Sequence, residues 1–103
     1  MTYKVLETVA ATKDLENIIG YITGNLYNFT AAKDFADEVE QCYKKLSVIP
    51  FMYELCRDER LKRLGYRKVV IKNYIMVYRI DNDRRLVYVM RFFYGKQNYA
   101  DLL

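Results

Sequence analysis

Arg67, Lys68, Lys72, Arg79, Arg91 and Lys96 lie in or beside three consecutive runs of β-branched and aromatic residues. Tyr66, Tyr74, Tyr78, Tyr88, Tyr94 and Tyr99 are interleaved with them. Fixed cations among aromatic rings suit nucleic acid, with the cations on phosphates and the rings stacked on bases. The same residues also have a plainer use, because tyrosine is a good strand former and arginine stems lie flat along a sheet. The charge is unevenly spread. From Arg57 to the end there are 12 Lys/Arg against 5 Asp/Glu, a surplus of +7, whereas residues 1–56 carry 5 against 8, or −3. A basic half beside an acidic one implies a surface that meets something negative.

Other chemistries are excluded by what the chain lacks. It has no histidine, which removes the usual general base and the commonest transition-metal ligand. Zinc chemistry and Ser-His-Asp or Cys-His catalysis go with it. Cys42 and Cys56 fit no metal spacing and read as free core thiols of a reducing compartment. There is no glycine-rich phosphate loop or paired-carboxylate motif. Asp81 and Asp83 sit where a turn wants aspartate for its backbone, and Asp58-Glu59 is expected to form surface ion pairs with the flanking Arg57 and Arg60. No metal, cofactor or small-molecule substrate is therefore expected. No apolar run approaches the roughly 18 residues of a membrane helix. The start MTYKVLETVA lacks the pattern of a signal peptide, so a cytoplasmic protein without a membrane partner is expected.

The elements that must position the basic residues follow from periodicity. The runs Tyr66–Ile71, Tyr74–Ile80 and Leu86–Tyr94 are separated by Lys72-Asn73 and by Asp81–Arg85, which predicts an antiparallel meander. Tyr3–Glu7 is a fourth short β-like run. Ala11, Leu15, Ile18, Ile19, Ile22 and Leu26 recur at helical spacing, predicting a helix over 9–26 capped by Thr8. A second helix is expected after Thr30, its expected cap, with Ala32, Phe35, Ala36, Val39, Cys42, Tyr43 and Leu46 on its apolar face and Pro50 at its end. Its charged face reads as solvated. Residues 51–65 form a link without periodicity. One α+β domain over 1–103 results: a small antiparallel sheet with an N-terminal helical hairpin on one face, in the order β-α-α-β-β-β. The strands do not alternate cleanly, since both faces of Tyr74–Ile80 and Leu86–Tyr94 are apolar. The helices can cover only one face. The link and the tail are the only other cover within the chain, and a partner is the favoured occupant.

The segments GYRKVVIKNYIMVYRID and VYVMRFFYGKQNYADLL, with YKVLET leading into the helices and Pro50 after them, resemble the RelE/ParE superfamily of toxins from bacterial toxin–antitoxin pairs. The resemblance spans essentially the whole chain. It implies a small sheet carrying a helical hairpin, and a cognate antitoxin as partner on the other face. RelE-like members cut messenger RNA in the ribosomal A site; ParE-like members inhibit DNA gyrase. The cutting reaction needs a base on the 2′-hydroxyl, cations on the phosphorane and a proton donor. Of that pattern, the first basic strand position falls at Arg67, which stays protonated and is a poor base. The next basic position falls at Val69, the arginine after the strand-opening tyrosine at Ile75, and the arginine after Gly-Lys at Gln97. The C-terminal tyrosine corresponds to Tyr99, at a shorter spacing.

The resemblance thus implies a ParE-like toxin that poisons DNA gyrase by binding. Its target or antitoxin surface would be built from Arg67, Arg79, Arg91, Tyr94, Lys96 and Tyr99. One alternative is a ribosome-dependent mRNA endoribonuclease with Arg67, Lys68, Lys72, Arg79, Lys96 and Tyr99 re-forming a site. Another is a degenerate, non-toxic binding module. Val69, Ile75 and Gln97 speak against the nuclease and do not separate the other two.

Overall fold

The computed structural model describes residues 2–95 and 97–103. Strand β1, Lys4–Glu7, feeds directly into helix α1, Val9–Gly24, and Thr8 makes the joint. Its Oγ1 accepts from the Ala11 N–H at 3.0 Å and donates to the Met90 carbonyl at 2.8 Å, so one hydroxyl caps the helix and ties it to the sheet. Ala11 and Ile22 are buried, and Leu15, Ile18 and Ile19 pack half-buried against the core. The helix stops at Gly24 rather than at Leu26. The Asn25 and Leu26 N–H groups both fall on the Tyr21 carbonyl, and Tyr27 turns the chain at φ +49°.

Helix α2 runs Phe29–Val48. Its cap is Asn28, not Thr30: the Asn28 amide oxygen accepts from the Ala31 N–H at 3.0 Å, which leaves Thr30 inside the first turn. Phe35, Val39, Cys42 and Leu46 are all buried, and Lys33–Asp37 and Lys44–Glu40 pair on the solvated face. Pro50 cannot extend the helix and instead opens a 3₁₀ turn, Pro50–Met52.

The link is more ordered than its lack of periodicity suggested. It contains helix α3, Glu59–Arg63, capped by Asp58 on the Leu61 N–H. Five residues are too few to show a helical period. Gly65, at φ +80°, closes α3 with its own N–H on the Lys62 carbonyl and the Tyr66 N–H on the Leu61 carbonyl, a Schellman pair that only a left-handed residue permits. The ion pairs expected of Asp58 and Glu59 do not form among the described residues. Asp58 serves as the cap, and Arg60 donates to the Ala100 and Leu103 carbonyls at 3.1 and 2.9 Å.

Strands β2 (Arg67–Ile71), β3 (Tyr74–Asp81) and β4 (Leu86–Tyr94) form the expected antiparallel meander. The full sheet has the order β1-β4-β3-β2. It is mixed rather than wholly antiparallel, because β1 runs parallel to β4. The helical hairpin brings the chain back across the sheet, and β1 takes the free edge of the last strand. In β4 the register jumps at Met90, the extra residue of a bulge: Val77 pairs Arg91 and Tyr78 pairs Val89.

Two apolar clusters lie on opposite faces of the sheet. The helix-side core gathers Phe35, Val39, Leu46, Met76, Tyr78, Val87, Val89 and Phe92. The second face buries Cys56, Leu61, Ile75, Val77 and Phe93, with Tyr66, Tyr99, Ala100 and Leu103 packed on them. A partner was expected over this face; the chain's own link and tail pack on its central residues, while Val70 in the same row stays 66% exposed. Short segments suffice because α3 brings one deeply buried leucine and the tail one stacked tyrosine. Among the described residues, no helix is long and apolar enough to cross a membrane.

Candidate functional site

Strand pairing decides which basic residues meet. Cross-strand partners share a face, and along a strand a face repeats every second residue. On the second face, Lys68, Val77 and Arg91 therefore make one row across β2, β3 and β4, and Arg79 with Tyr88 makes part of the next. The rows are about 7 Å apart. Val70, Ile75 and Phe93 form the apolar row on the other side. Tyr99 folds back from the tail and stacks on Phe93 at 6.1 Å between centroids, and the Lys68 ammonium lies 5.7 Å from the Tyr99 ring. Arg79 lies 4.8 Å above the ring of Tyr88. Among the described residues, neither Lys68 nor Arg79 has a carboxylate partner. Both are cations on a half-buried face with charge to spare.

Arg91 is committed differently. Its Nε and Nη2 donate to the two carboxylate oxygens of Asp14 at 2.6 and 3.1 Å, and Asp14 Oδ2 also accepts from the Phe92 N–H at 3.0 Å. β1 ends before this part of β4, so the strand edge is open there. Asp14 on α1 plugs it. The carboxylate raises the Arg91 pKa. Sequence reading passed over Asp14; the signal that could have found it is a lone carboxylate within the apolar stripe Ala11–Leu15–Ile18, where an unpaired charge would be costly. Asp14→Ala should cost about 1.5–3 kcal/mol, the range for hydrogen bonds to charged groups. A denaturant melt showing less than about 0.5 kcal/mol would mean that the clamp carries no stability.

The remaining candidates lie elsewhere. Arg67 is on the helix face, where it donates to the Tyr53 carbonyl at 2.6 Å and stacks over Phe51 at 5.2 Å. Lys72 sits in the β2–β3 turn and pairs with Glu38 at 3.4 Å. Tyr94, 42% exposed, meets Tyr74 edge to face at 5.9 Å. With Ile18, Tyr21 and Leu26 it lines a groove of about 490 Å³ at the far tip of the sheet. Lys96 lies outside the described residues. The proposed set thus divides between two faces and a tip: Lys68, Arg79, Arg91 and Tyr99 come together, and Arg67, Lys72 and Tyr94 stand apart. Sequence reading left Tyr88 out of the site, although its place opposite Arg79 follows once the bulge is known.

The three positions that depart from the nuclease pattern all have packing duties. Val69 packs against the helix-side core. Ile75 is buried in the second cluster. The Gln97 side chain accepts from the Tyr94 N–H at 2.8 Å, closing the end of β4. Burial pushes Cys56 up against the opposing pull of Lys68, and burial likewise raises Cys42, Tyr53, Tyr74 and Tyr78. The arrangement can hold anions and stack on planar groups.

Residues 5–99 match the family described as ParE toxin of type II toxin-antitoxin system, parDE. Among solved structures, the chain is similar to one in the toxin-antitoxin complex RelBE2 from Mycobacterium tuberculosis, with 25% identity and a TM-score of 0.65 over 91% of this chain and 99% of that one. It is also similar to a chain of the chromosomal ParDE TA system from P. aeruginosa, with 13% identity and a TM-score of 0.71 over 91% and 97% of the two chains. At that identity the second likeness concerns the fold. No curated protein matches the chain.

Proposed function

Because the chain belongs to the ParE toxin family of type II toxin–antitoxin systems, we propose that it poisons DNA gyrase by binding and is held in check by a cognate antitoxin in the cytoplasm. One observation carries the choice of target. Val69, Ile75 and Gln97 replace three cationic positions of the cutting reaction, and each is occupied in packing or capping. Electrostatic contacts to a developing oxyanion are worth about 3–4 kcal/mol apiece. A site lacking most of them, and lacking a base, falls short by many powers of ten. Lys68, Arg79 and Tyr99 then serve as contacts to a macromolecule, with Arg91 held by Asp14 at the rim of the same face.

The rival reading is a ribosome-dependent mRNA endoribonuclease. Two observations favour it: the free cations Lys68 and Arg79 beside Tyr99, and the higher identity to the RelBE2 chain. Controlled expression with separate readouts of translation and plasmid supercoiling decides between them. The expected result is growth arrest with relaxed plasmid DNA and intact messenger RNA, weakened by Lys68→Ala or Arg79→Ala. Rapid translation arrest with A-site cleavage, abolished by the same changes, would overturn it in favour of the nuclease. Silence in both readouts would leave a non-toxic binding module.

A further inference from the structure

We propose that the outer edge of β2 around Val70 receives an extended segment of a partner chain, which adds as a fifth strand and carries acidic side chains. The edge is only half covered. Residues 54–56 run beside its start, with the Lys68 N–H on the Glu54 carbonyl and the Cys56 N–H on the Tyr66 carbonyl. Backbone groups of an antiparallel strand point alternately to either side, so the Val70 N–H and C=O face outward as those of Lys68 do. Among the described residues they find no partner. Val70 itself is 66% exposed in mid-strand, an arrangement that folded proteins ordinarily blunt. The opposite edge shows such blunting: Asp14 takes the Phe92 N–H and Gln97 the Tyr94 N–H.

Val70 also borders a hollow on each face. One, of about 240 Å³, lies on the second face against Ile75 and Lys72. The other, of about 280 Å³, lies on the helix side against Glu38, Gln41, Lys45 and Tyr53. An added strand sends alternate side chains to opposite faces, so each hollow would take one, while the backbone bonds supply affinity. Charge selects the occupant. Lys68 and Lys72 stand two residues to either side of Val70, and Lys45 borders the helix-side hollow. Lys72 is paired with Glu38, so acidic side chains on the incoming strand would meet chiefly Lys68 on the second face and Lys45 on the helix side. A second copy of this chain is disfavoured, because two-fold pairing centred on Val70 sets Lys68 of one copy opposite Lys72 of the other, and like charges directly opposed destabilise a sheet. The toxin–antitoxin assignment matters here only as the source of such a segment.

The test uses the purified full chain and two eight-residue peptides, one alternating valine with glutamate and the other valine with lysine. The glutamate peptide should slow amide exchange at Val70 about tenfold or more, and the lysine peptide should not. Val70→Pro removes an outward N–H without touching the β2–β3 ladder; it should weaken peptide binding about tenfold or more with an unchanged circular dichroism spectrum. Lys68→Glu should weaken it as well. Unchanged Val70 exchange, equal binding of both peptides, or full binding by a folded Val70→Pro variant would each overturn the proposal. If that variant does not fold, the exchange measurement on the unaltered chain decides. Val70 protection without peptide, together with a dimer in sedimentation, would assign the edge to a second copy instead. None of these measurements involves gyrase or the ribosome, so failure here leaves the target assignment standing.

Discussion

Phe35→Ala should lower the unfolding free energy by about 3–5 kcal/mol, the range for removing a fully buried phenylalanine ring. Phe35 is 1% exposed. Its ring sits 5.1 Å from that of Tyr74, tilted by 56°, and so joins α2 to the sheet at the start of β3. Truncation would leave a cavity that neither element can close, because α2 is also anchored through Val39, Cys42 and Leu46. Tyr74 would lose its neighbour, and the hollow of about 250 Å³ that Phe35 lines with Ile22, Leu26 and Tyr74 would lose a wall. Ile19, half-buried at the border of the same core, should fall at the low end of the range for such truncations, nearer 2 kcal/mol. Urea unfolding with the slope held in common would measure both. A loss below about 0.5 kcal/mol for Phe35→Ala would mean that the helix is packed on the wrong face.

The protein should also lose stability steeply above pH 10. Tyr43 is raised from its ordinary value of 10.0, by burial first and then by donating its hydroxyl to Glu7 at 2.7 Å. Tyr78 is raised from the same value by burial, partly offset by nearby Arg67, and it donates to the Pro50 carbonyl at 2.9 Å. In both cases the folded pKa lies above the unfolded one. The unfolded chain therefore releases these protons first as the pH rises. The contribution is fully present below pH 10 and fades as the pH climbs toward the folded values. Each group can contribute a slope of up to about 1.4 kcal/mol per pH unit. Cys42 and Cys56, raised from 9.0 by burial, act with the same sign and begin earlier. Unfolding curves from pH 8 to 12 should show the decline, and Tyr43→Phe should flatten it by one group's share. Stability that stays level from pH 10 to 12 would refute the assignment.

The division between what was legible in the chain and what was not has a physical basis. Local pattern announced the elements: period 3.6 for the two long helices, β-branched and aromatic runs for β2, β3 and β4, and Thr8 as a cap whose hydroxyl need reach only three residues. The RelE/ParE-type order of elements could be read for the same reason, as could the expectation that Asp81 serves the turn, where it accepts from the Arg84 N–H at 3.2 Å. α3 was missed because five residues carry no period, and Asn28 was missed because both it and Thr30 are capping types and only the chain's path chooses between them.

For the surface, residue types alone suggested one cluster of cations. Strand alternation sends Arg67 and Lys68 to opposite faces, pairing register sets Arg79 and Arg91 on the face of Lys68, and the bulge at Met90 brings Tyr88 to that face as well. A one-residue shift reverses the face of every side chain beyond it, and no run of neighbours in the sequence records where that shift falls. The same holds for the second face. Its apolar residues were visible in the strands, but their cover comes from Leu61 in the link and from Tyr99 in the tail, which folds back to stack on Phe93. Propensity acts between near neighbours and is written in the sequence; which cations share a face, and which remain free to bind, is decided only when distant strands come into register.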